Sequence, residues 1–372
     1  MKYKLSDCVE IISGGTPKKA VSEYWDGNIP WITIKDFGSK YPKSTDNYIT
    51  QEGLNHSAAK LSKDKDILIS ARGTVGEVMM VHSGYTFNQS IYGLRIKEKV
   101  AIPEYIYYWL LANKQIFIKN VHGSVFDTIT RKIFDHIQIE LPCIANQAEI
   151  VSKLNSIDSK IALNELINDN LLELLDTEFF YRFINNSYSS TGIVSDYVSV
   201  KRGASPRPIK NFLSKTGRPW IKISDVTKLT SPFLYDTAQF INKDGISKSR
   251  TIVPGTLILS NSATPGIPII SEILASVHDG WLIIDDYTYM NKEWFYLFFR
   301  QMRRQLISRA NGSVFNNLKV DIVKNFPVPF VTNDKLMAFE KLTNPIFKKL
   351  KHLQQENIEL NKIKNILLNK YF

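Results

Sequence analysis

Cysteine is nearly missing from the 372 residues, with only Cys8 and Cys143 present. Neither has a counterpart in the other half of the chain. No disulfide framework is therefore expected, and a reducing cytoplasm is the simple setting. No run of about 18 apolar residues occurs, so no membrane-spanning helix is expected. The opening Met1-Lys2-Tyr3-Lys4-Leu5-Ser6-Asp7 has no apolar signal core. The histidines (His56, His82, His122, His136, His278 and His352) are scattered and lack the Cys/His spacing of a zinc site. Phosphate-binding signatures are missing too: there is no G-x-x-x-x-G-K-[ST] loop and no G-x-G-x-x-G loop after a strand. Gly73-Thr74-Val75-Gly76 is too short for either and reads as a turn. Nothing here points to metal, nucleotide or dinucleotide chemistry.

Acidic charge is scarce in one half only. The chain carries 47 Lys and Arg against 36 Asp and Glu, for a net charge of +11. Residues 1–189 hold 21 basic and 22 acidic side chains, whereas residues 190–372 hold 26 and 14, so the excess belongs to the second half. A basic excess of this size favours polyanionic partners, nucleic acid first. A Lys-rich, AT-biased genome produces the same balance without any such partner, and charge alone does not separate the two.

What is present is a duplication. Leu5-Ser6-Asp7 answers Val194-Ser195-Asp196, and Gly14-Gly15-Thr16-Pro17 answers Gly203-Ala204-Ser205-Pro206. Pro30-Trp31-Ile32-Thr33-Ile34-Lys35-Asp36 answers Pro219-Trp220-Ile221-Lys222-Ile223-Ser224-Asp225, and Gly123-Ser124-Val125-Phe126 answers Gly312-Ser313-Val314-Phe315. The offset is 189 residues in all four pairs. Solenoid units run about 20–50 residues, so this is a repeated domain, each copy able to bury its own core.

Each copy has the same internal order. Strand-like runs come first, at 31–34, 67–70 and 91–96 in the first copy and 220–223, 256–260 and 281–284 in the second, and one more, at 137–141 and 328–331, precedes each long helix. An aromatic helix follows, over 104–113 and 292–302. A long helix closes each copy, over 146–183 and 334–372. The first carries Ile150, Leu154, Ile157, Ile161, Leu171, Leu175 and Phe179, interrupted by Asn164 and Asn168. The second carries Phe339, Leu342, Ile346, Leu350, Leu353, Leu360 and Leu367, with Asn357 and Lys364 in the seam. That is heptad spacing, and a seam Asn commonly fixes register. Asn168 and Asn357 stand at equivalent places. Pro345 is expected to kink the second helix or delay its start. Leu163, Leu166, Ile167, Leu172, Leu174, Ile358 and Ile363 fall off the seam and are expected to be left for a partner.

The expected fold is α+β: two tandem strand-rich domains separated by two long antiparallel helices that form a coiled coil, pseudo-two-fold symmetric. Expected boundaries are 1–145 for the first domain, 146–184 for its helix, 190–332 for the second domain and 334–372 for its helix.

These pieces in this order resemble the specificity subunits of Type I restriction-modification enzymes. The features that carry the resemblance are the Ser-Asp opening, the Gly-Gly-Thr-Pro-like loop and the Pro-Trp-Ile-x-Ile-x-Asp strand. Gly-Ser-Val-Phe, the Leu141-Pro142…Gln147 run into a long helix, and the duplication itself complete it. The second copy departs at that junction, where Pro329 is followed by no Gln. The resemblance implies two target-recognition domains, each reading half of a bipartite double-stranded DNA site. It implies helices that set the unread spacer and dock methyltransferase subunits, with restriction subunits joining the full complex. It further implies a chain that is non-catalytic alone and binds no cofactor, with S-adenosylmethionine, ATP and Mg on the partners. The Asn-Pro-Pro-aromatic motif of amino-methyltransferases is missing, in agreement. A two-domain protein-interaction scaffold without DNA binding remains the other reading.

Candidate DNA contacts are polar or basic loop residues. In the first copy they are Thr16, Lys18 and Lys19 after the Gly pair, then Lys35, Arg72, Thr74, Asn88, Gln89 and Ser124. In the second they are Lys201, Arg202, Ser205, Arg207, Lys210, Lys222, Asn261, Ser262, Thr264, Asn311 and Ser313. Gly permits close backbone approach to phosphate. Arg pairs with guanine O6/N7 and Asn or Gln with adenine N6/N7. Asn88-Gln89 occupies a loop whose counterpart is His278-Asp279, so a matched scaffold bears unlike side chains. Arg131-Lys132 and Arg303-Arg304 suit phosphate anchoring. Trp31 and Trp220 read as core.

Overall fold

Every residue of the strand Asp66–Ser70 is buried, which explains why Asp66-Ile67-Leu68-Ile69 reads as a continuous apolar run after its first residue. Ile67 and Ile69 face the same core as the aromatic helix Pro103–Ala112, while Leu68 faces a second core with Ile12, Met79 and Phe87. Successive side chains point to opposite sides of a sheet, and this sheet is covered on both. Buried Asp66 is held by Arg95, whose Nη2 and Nε donate at 2.8 and 3.1 Å. The second copy repeats the arrangement. Leu257 and Leu259 of the strand Thr256–Ser260 face the helix side, and Ile258 faces the other.

The computed structural model describes residues 1–121, 128–185, 190–227, 229–310, 317–329 and 331–372. These form two compact units, Met1–Lys160 with Glu359–Phe372, and Ile161–Ile358. In the first unit an antiparallel sheet runs in the order Val9–Ser13, Ile91–Ile96, Asp66–Ser70, Val78–Val81. A smaller sheet orders Tyr48–Ile49, Trp25–Ile32 and Thr86–Phe87, with Trp31 parallel to Thr86. The second unit has the same sheet as Ser199–Arg202, Trp281–Asp285, Thr256–Ser260, Pro268–Ser271, with Phe233–Leu234 added at the edge. Its smaller sheet matches as Phe240–Ile241, Arg218–Ile221 and Ala275–Val277, with Trp220 parallel to Ser276. Leu213–Ser214 and Arg250–Ile252 extend that sheet on both sides.

The aromatic helices begin where local chemistry favours it. Pro103 opens the first at the position where its missing N–H is harmless. Asn291 opens the second, its Oδ1 accepting the Trp294 N–H at 2.9 Å. That second helix runs on to Ala310, well beyond the expected end.

The first long helix spans Ile144–Phe179 and continues as a π-helical turn over Phe180–Ile184. Gln147 is fully buried at its start. The Gln147 amide accepts from Ile102 N–H and donates to Pro142 O, both at 2.9 Å, which ties the long helix to the head of the aromatic helix. The second long helix spans Asn333–Tyr371 with Pro345 inside it. The proline does not delay the start. Its lost hydrogen bond and ring clash cost roughly 3 kcal/mol, against which Phe339, Phe347 and Leu350 are buried on the same helix. Leu336 stands where the first copy has Gln147 and is buried in the core instead.

Within each unit segments of the two long helices pack antiparallel. In the first, Lys364 Nζ donates to Asp158 at 2.6 Å, and Lys153 reaches the Tyr371 hydroxyl at 3.4 Å. In the second, Asn164 Nδ2 donates to Asn357 Oδ1 and Glu356 Oε2, both at 2.8 Å, while Phe339 packs on Phe179 and Phe183. Two expectations need correction. Asn168 is buried, but its amide donates to the Thr230 carbonyl at 2.9 Å rather than to the second long helix. Leu172 is not left over but buried in the core of its own unit. Val151, Leu172, Phe347 and Leu368 are buried beside the expected seam positions 150, 171, 346 and 367, which are only half-buried. The reason is that each helix packs on its unit's sheet-and-helix core as well as on the other helix. The buried face is therefore wider than a two-helix stripe. Leu163, Leu166, Leu174 and Ile363 do remain exposed. No helix among the described residues is long and apolar enough to cross a membrane.

Asn164→Ala removes the donor that two acceptors share in a fully buried place. It should lower the stability of the unit Ile161–Ile358 by about 1–3 kcal/mol, read from chemical denaturation. An unchanged midpoint would show that the pair carries nothing.

Candidate nucleic-acid interface

Three loops meet at one end of the main sheet in each unit, and the strand order puts them there. Val9–Ser13 and Asp66–Ser70 flank Ile91–Ile96 antiparallel, so the exits of the outer strands lie beside the start of the middle one (Ser13↔Tyr92, Ser70↔Ile91). The first loop follows Ser13, the second follows Ser70 and the third precedes Ile91.

Backbone hydrogen bonds lock the three together. Gly14 N–H donates to Ile91 O, Gly15 N–H to Phe87 O at 2.9 Å, and Ala71 N–H to Ser90 O at 2.8 Å. In the second unit Gly203 donates to Trp281 O, Ala204 to Val277 O and Asn261 to Gly280 O. A Cβ on Gly14 would lie 2.0 Å from the Asn88 carbonyl oxygen, and one on Gly203 would lie 2.1 Å from that of His278. Glycine is required at both places by close approach. The second loop closes on a serine hydroxyl: Ser70 Oγ accepts from Glu77 N–H, and Ser260 Oγ accepts from Ile267 N–H at 2.8 Å. Gly73 and Ala263 both take positive φ, at 71° and 56°. The two backbones are thus alike down to a left-handed residue.

The side chains on them are not alike. Gln89 Oε1 accepts from the Thr16 hydroxyl. At the matching place Asp279 Oδ1 accepts from the Ser205 hydroxyl at 2.6 Å. Asp279 also gathers the basic residues of its unit. Its Oδ2 accepts from Arg207 Nη2 at 3.1 Å, and its main-chain carbonyl accepts from Arg202 Nε at 2.9 Å and Asn261 Nδ2 at 3.0 Å. Partial burial alone would raise the Asp279 carboxyl. The Ser205 hydroxyl, its own backbone N–H, Arg207 and Arg202 outweigh that and hold it below the usual carboxylate value. Asn88 Oδ1 accepts the Ser90 N–H, as His278 Nδ1 accepts the Gly280 N–H at 2.8 Å. Burial pushes the His278 imidazole below its ordinary value, in keeping with a ring nitrogen that must stay unprotonated to accept.

Of the expected contacts in the first unit, Thr16 and Gln89 are joined by a hydrogen bond between the first and third loops, Asn88 stands beside Gln89, Arg72 and Thr74 are exposed on the second loop, and Lys18 and Lys19 are exposed on the first. Lys35 is exposed on the adjoining turn, where Ile34 lies 3.5 Å from a Cβ built on Gly73. In the second unit Arg202, Ser205, Arg207, Ser262 and Thr264 gather, and Lys222 lies close enough to depress His278 further. Lys210 is exposed farther along the first loop, in the turn Ile209–Asn211. Asn261 belongs to the cluster but is buried, its amide committed to the Asp279 carbonyl. Lys201 stands apart on the strand Ser199–Arg202, its charge met by Asp285 at 3.0 Å and Asp286 at 3.2 Å. Ser124, Asn311 and Ser313 lie outside the described residues.

Sequence reading passed over Asp279 as a hub, since the groups it binds are far away in the chain. Arg303, read from the sequence as a phosphate anchor, also supports the second loop, its Nε donating to Pro265 O at 3.0 Å. Lys114 does the same work in the first unit through Glu77. Lys114 and Arg303 are 189 apart, which is the signal that could have paired them. Among the described residues no group of His, Cys, Asp and Glu could hold a metal ion.

Residues 1–173 match the family described as the Type I restriction modification DNA specificity domain. The chain is 23% identical to the Type I restriction enzyme MjaIX specificity subunit of Methanocaldococcus jannaschii, over 99% of this chain and 91% of the relative. It is 30% identical to the EcoR124I/EcoR124II specificity subunit of Escherichia coli, over 49% of this chain and 47% of the relative. Among solved structures, the S subunit of a Type I restriction-modification system from M. genitalium shares the fold. The TM-score is 0.59 at 14% identity, covering 100% of this chain and 96% of that one.

His278 supplies a pH test of the loop geometry. Its folded-state pKa lies below the ordinary 6.5, so the unfolded chain binds more protons between the two values. Its stabilising contribution is present above the unfolded value and is lost as pH falls through the folded one. His278→Asn substitutes the first unit's residue, whose oxygen accepts the same turn hydrogen bond. The variant should fold and lose less stability than the parent between about pH 7 and pH 5, followed by thermal melting. Equal slopes would show that His278 is not held neutral.

Proposed function

We propose that this chain is a specificity subunit of the Type I restriction-modification kind and reads a two-part DNA site with its two three-loop clusters. One observation carries the reading: matching backbone hydrogen bonds in both units present unlike side chains. Gln89 corresponds to Asp279 in the repeat, Asn88 to His278, Arg72 to Ser262 and Lys18 to Arg207. A shared scaffold with different donors and acceptors suits two different half-sites, because base edges are distinguished by their donor and acceptor patterns. Exposed Lys18, Lys19, Lys35 and Lys210 supply phosphate contacts that position without specifying.

The long helices set the unread gap between the half-sites, and their exposed Leu163, Leu166, Leu174 and Ile363 dock the methyltransferase subunits. The chain performs no chemistry itself and binds no cofactor. S-adenosylmethionine, ATP and Mg belong to methyltransferase and restriction subunits, and the complex works in the cytoplasm.

The test maps methylated sites in cells that carry the chain with its partner subunits. The expected product is two short motifs with a gap of fixed length. Four residues added to each long helix, after Lys160 and after Ile358, lengthen each by about 6 Å, near two base-pair steps. These places are the borders of the two units, so the packing inside each is kept. The gap should grow by one or two base pairs with both motifs unaltered. A continuous motif in the parent, or an unaltered gap in an active variant, contradicts the proposal.

A further inference from the structure

Asp279 and Gln89 take the same place in the two repeats, and each accepts from the hydroxyl of the matching first loop, Ser205 or Thr16. Their capacities differ. A glutamine amide both donates and accepts, while a carboxylate only accepts. The Asp279 side chain is 36% exposed, and the Arg207 beside it is 79% exposed. Ser205 occupies one bond on Oδ1 and Arg207 one on Oδ2, with the residue's own backbone N–H and, at 3.9 Å, Arg202 beside them, and two carboxylate oxygens with about four lone-pair sites still leave acceptor capacity on that exposed edge.

A fixed negative charge there repels phosphate, so Asp279 is no backbone anchor. What it attracts on DNA is an exocyclic amino group, and cytosine N4–H₂ in the major groove is the usual partner of Asp. Arg207, tethered through one Nη, keeps donors for a guanine edge with O6 and N7. We infer that Asp279 is a specificity-determining residue of the second half-site, selecting a base pair by its cytosine amino group while orienting Arg207 toward guanine. Gln89 at the matching place has the donor–acceptor pair that fits adenine N6/N7. The inference rests on the DNA reading proposed above.

The experiment selects from randomised duplex DNA with the full chain assembled with its methyltransferase subunits. Parent, Asp279→Asn and Asp279→Gln are compared. Asn keeps the shape and an oxygen for Ser205, and Gln supplies the first repeat's side chain. The parent should enrich a C·G pair at one position of one half-site. Asp279→Asn should weaken that preference about tenfold or more, Asp279→Gln should move it toward A·T, and the other half-site should not change. The reciprocal Gln89→Asp should move the first half-site toward C·G, and it decides the matter if the Asp279 variants fail to assemble. An unaltered motif in the variants overturns the inference. So does a uniform gain of affinity for all sequences, since Asp279 would then only neutralise the arginines. A parent that enriches no motif at all overturns the DNA reading, and the inference with it.

Discussion

The structure depends on one constraint: a central strand buried on both faces. Ile67, Leu68 and Ile69 are fully buried, as are Leu257, Ile258 and Leu259. Burying side chains of this kind contributes about 1.5–3 kcal/mol each, and a one-residue slip would exchange their two faces. The register Ser70↔Ile91 in one unit and Ser260↔Trp281 in the other is thereby held. Since the second and third loops begin and end at those residues, core packing sets where the loops meet. The glycine contacts Gly14–Asn88 and Gly203–His278 then close the first loop onto the third. Strand burial places the backbone, and the backbone leaves the loop side chains free to differ.

Much of this was legible in the residues. The 189-residue offset exposes the duplication, and Gly14 and Gly203 fall at it because a Cβ is tolerated at neither. The long apolar periodicity marks both helices to within a few residues. Other features were closed to sequence reading because they are tertiary. Asn168 shares its equivalent place with Asn357, yet its partner is a loop carbonyl at Thr230. Leu172 looks spare on a two-helix wheel, yet it meets the core of its own unit. Lys201 has the same basic character as Arg202 next to it. Strand alternation sends Lys201 to Asp285 and Asp286 and Arg202 to the Asp279 loop.

Charge explains the asymmetry between the halves. The second half carries the basic excess, and its cluster also carries the carboxylate that organises Arg202 and Arg207. The first pairs neutral Thr16 with neutral Gln89 and leaves Lys18, Lys19 and Arg72 exposed. One loop framework thus supports a charged, pre-organised cluster and an amide-based one. The side chains on such a framework can change without rebuilding the core, since those of the loops contribute little to the buried cores.

The central claim is that specificity lives in loop side chains on a duplicated scaffold. The most direct measurement is DNA selection by the assembled complex after the first unit's loop residues are carried onto the second. The substitutions are Arg202→Ser, Arg207→Lys, Ser262→Arg, His278→Asn and Asp279→Gln. The second half-site is expected to change toward the sequence of the first, with the first half-site and the gap unaltered. A second half-site that stays as it was, in a complex that still binds, would contradict it.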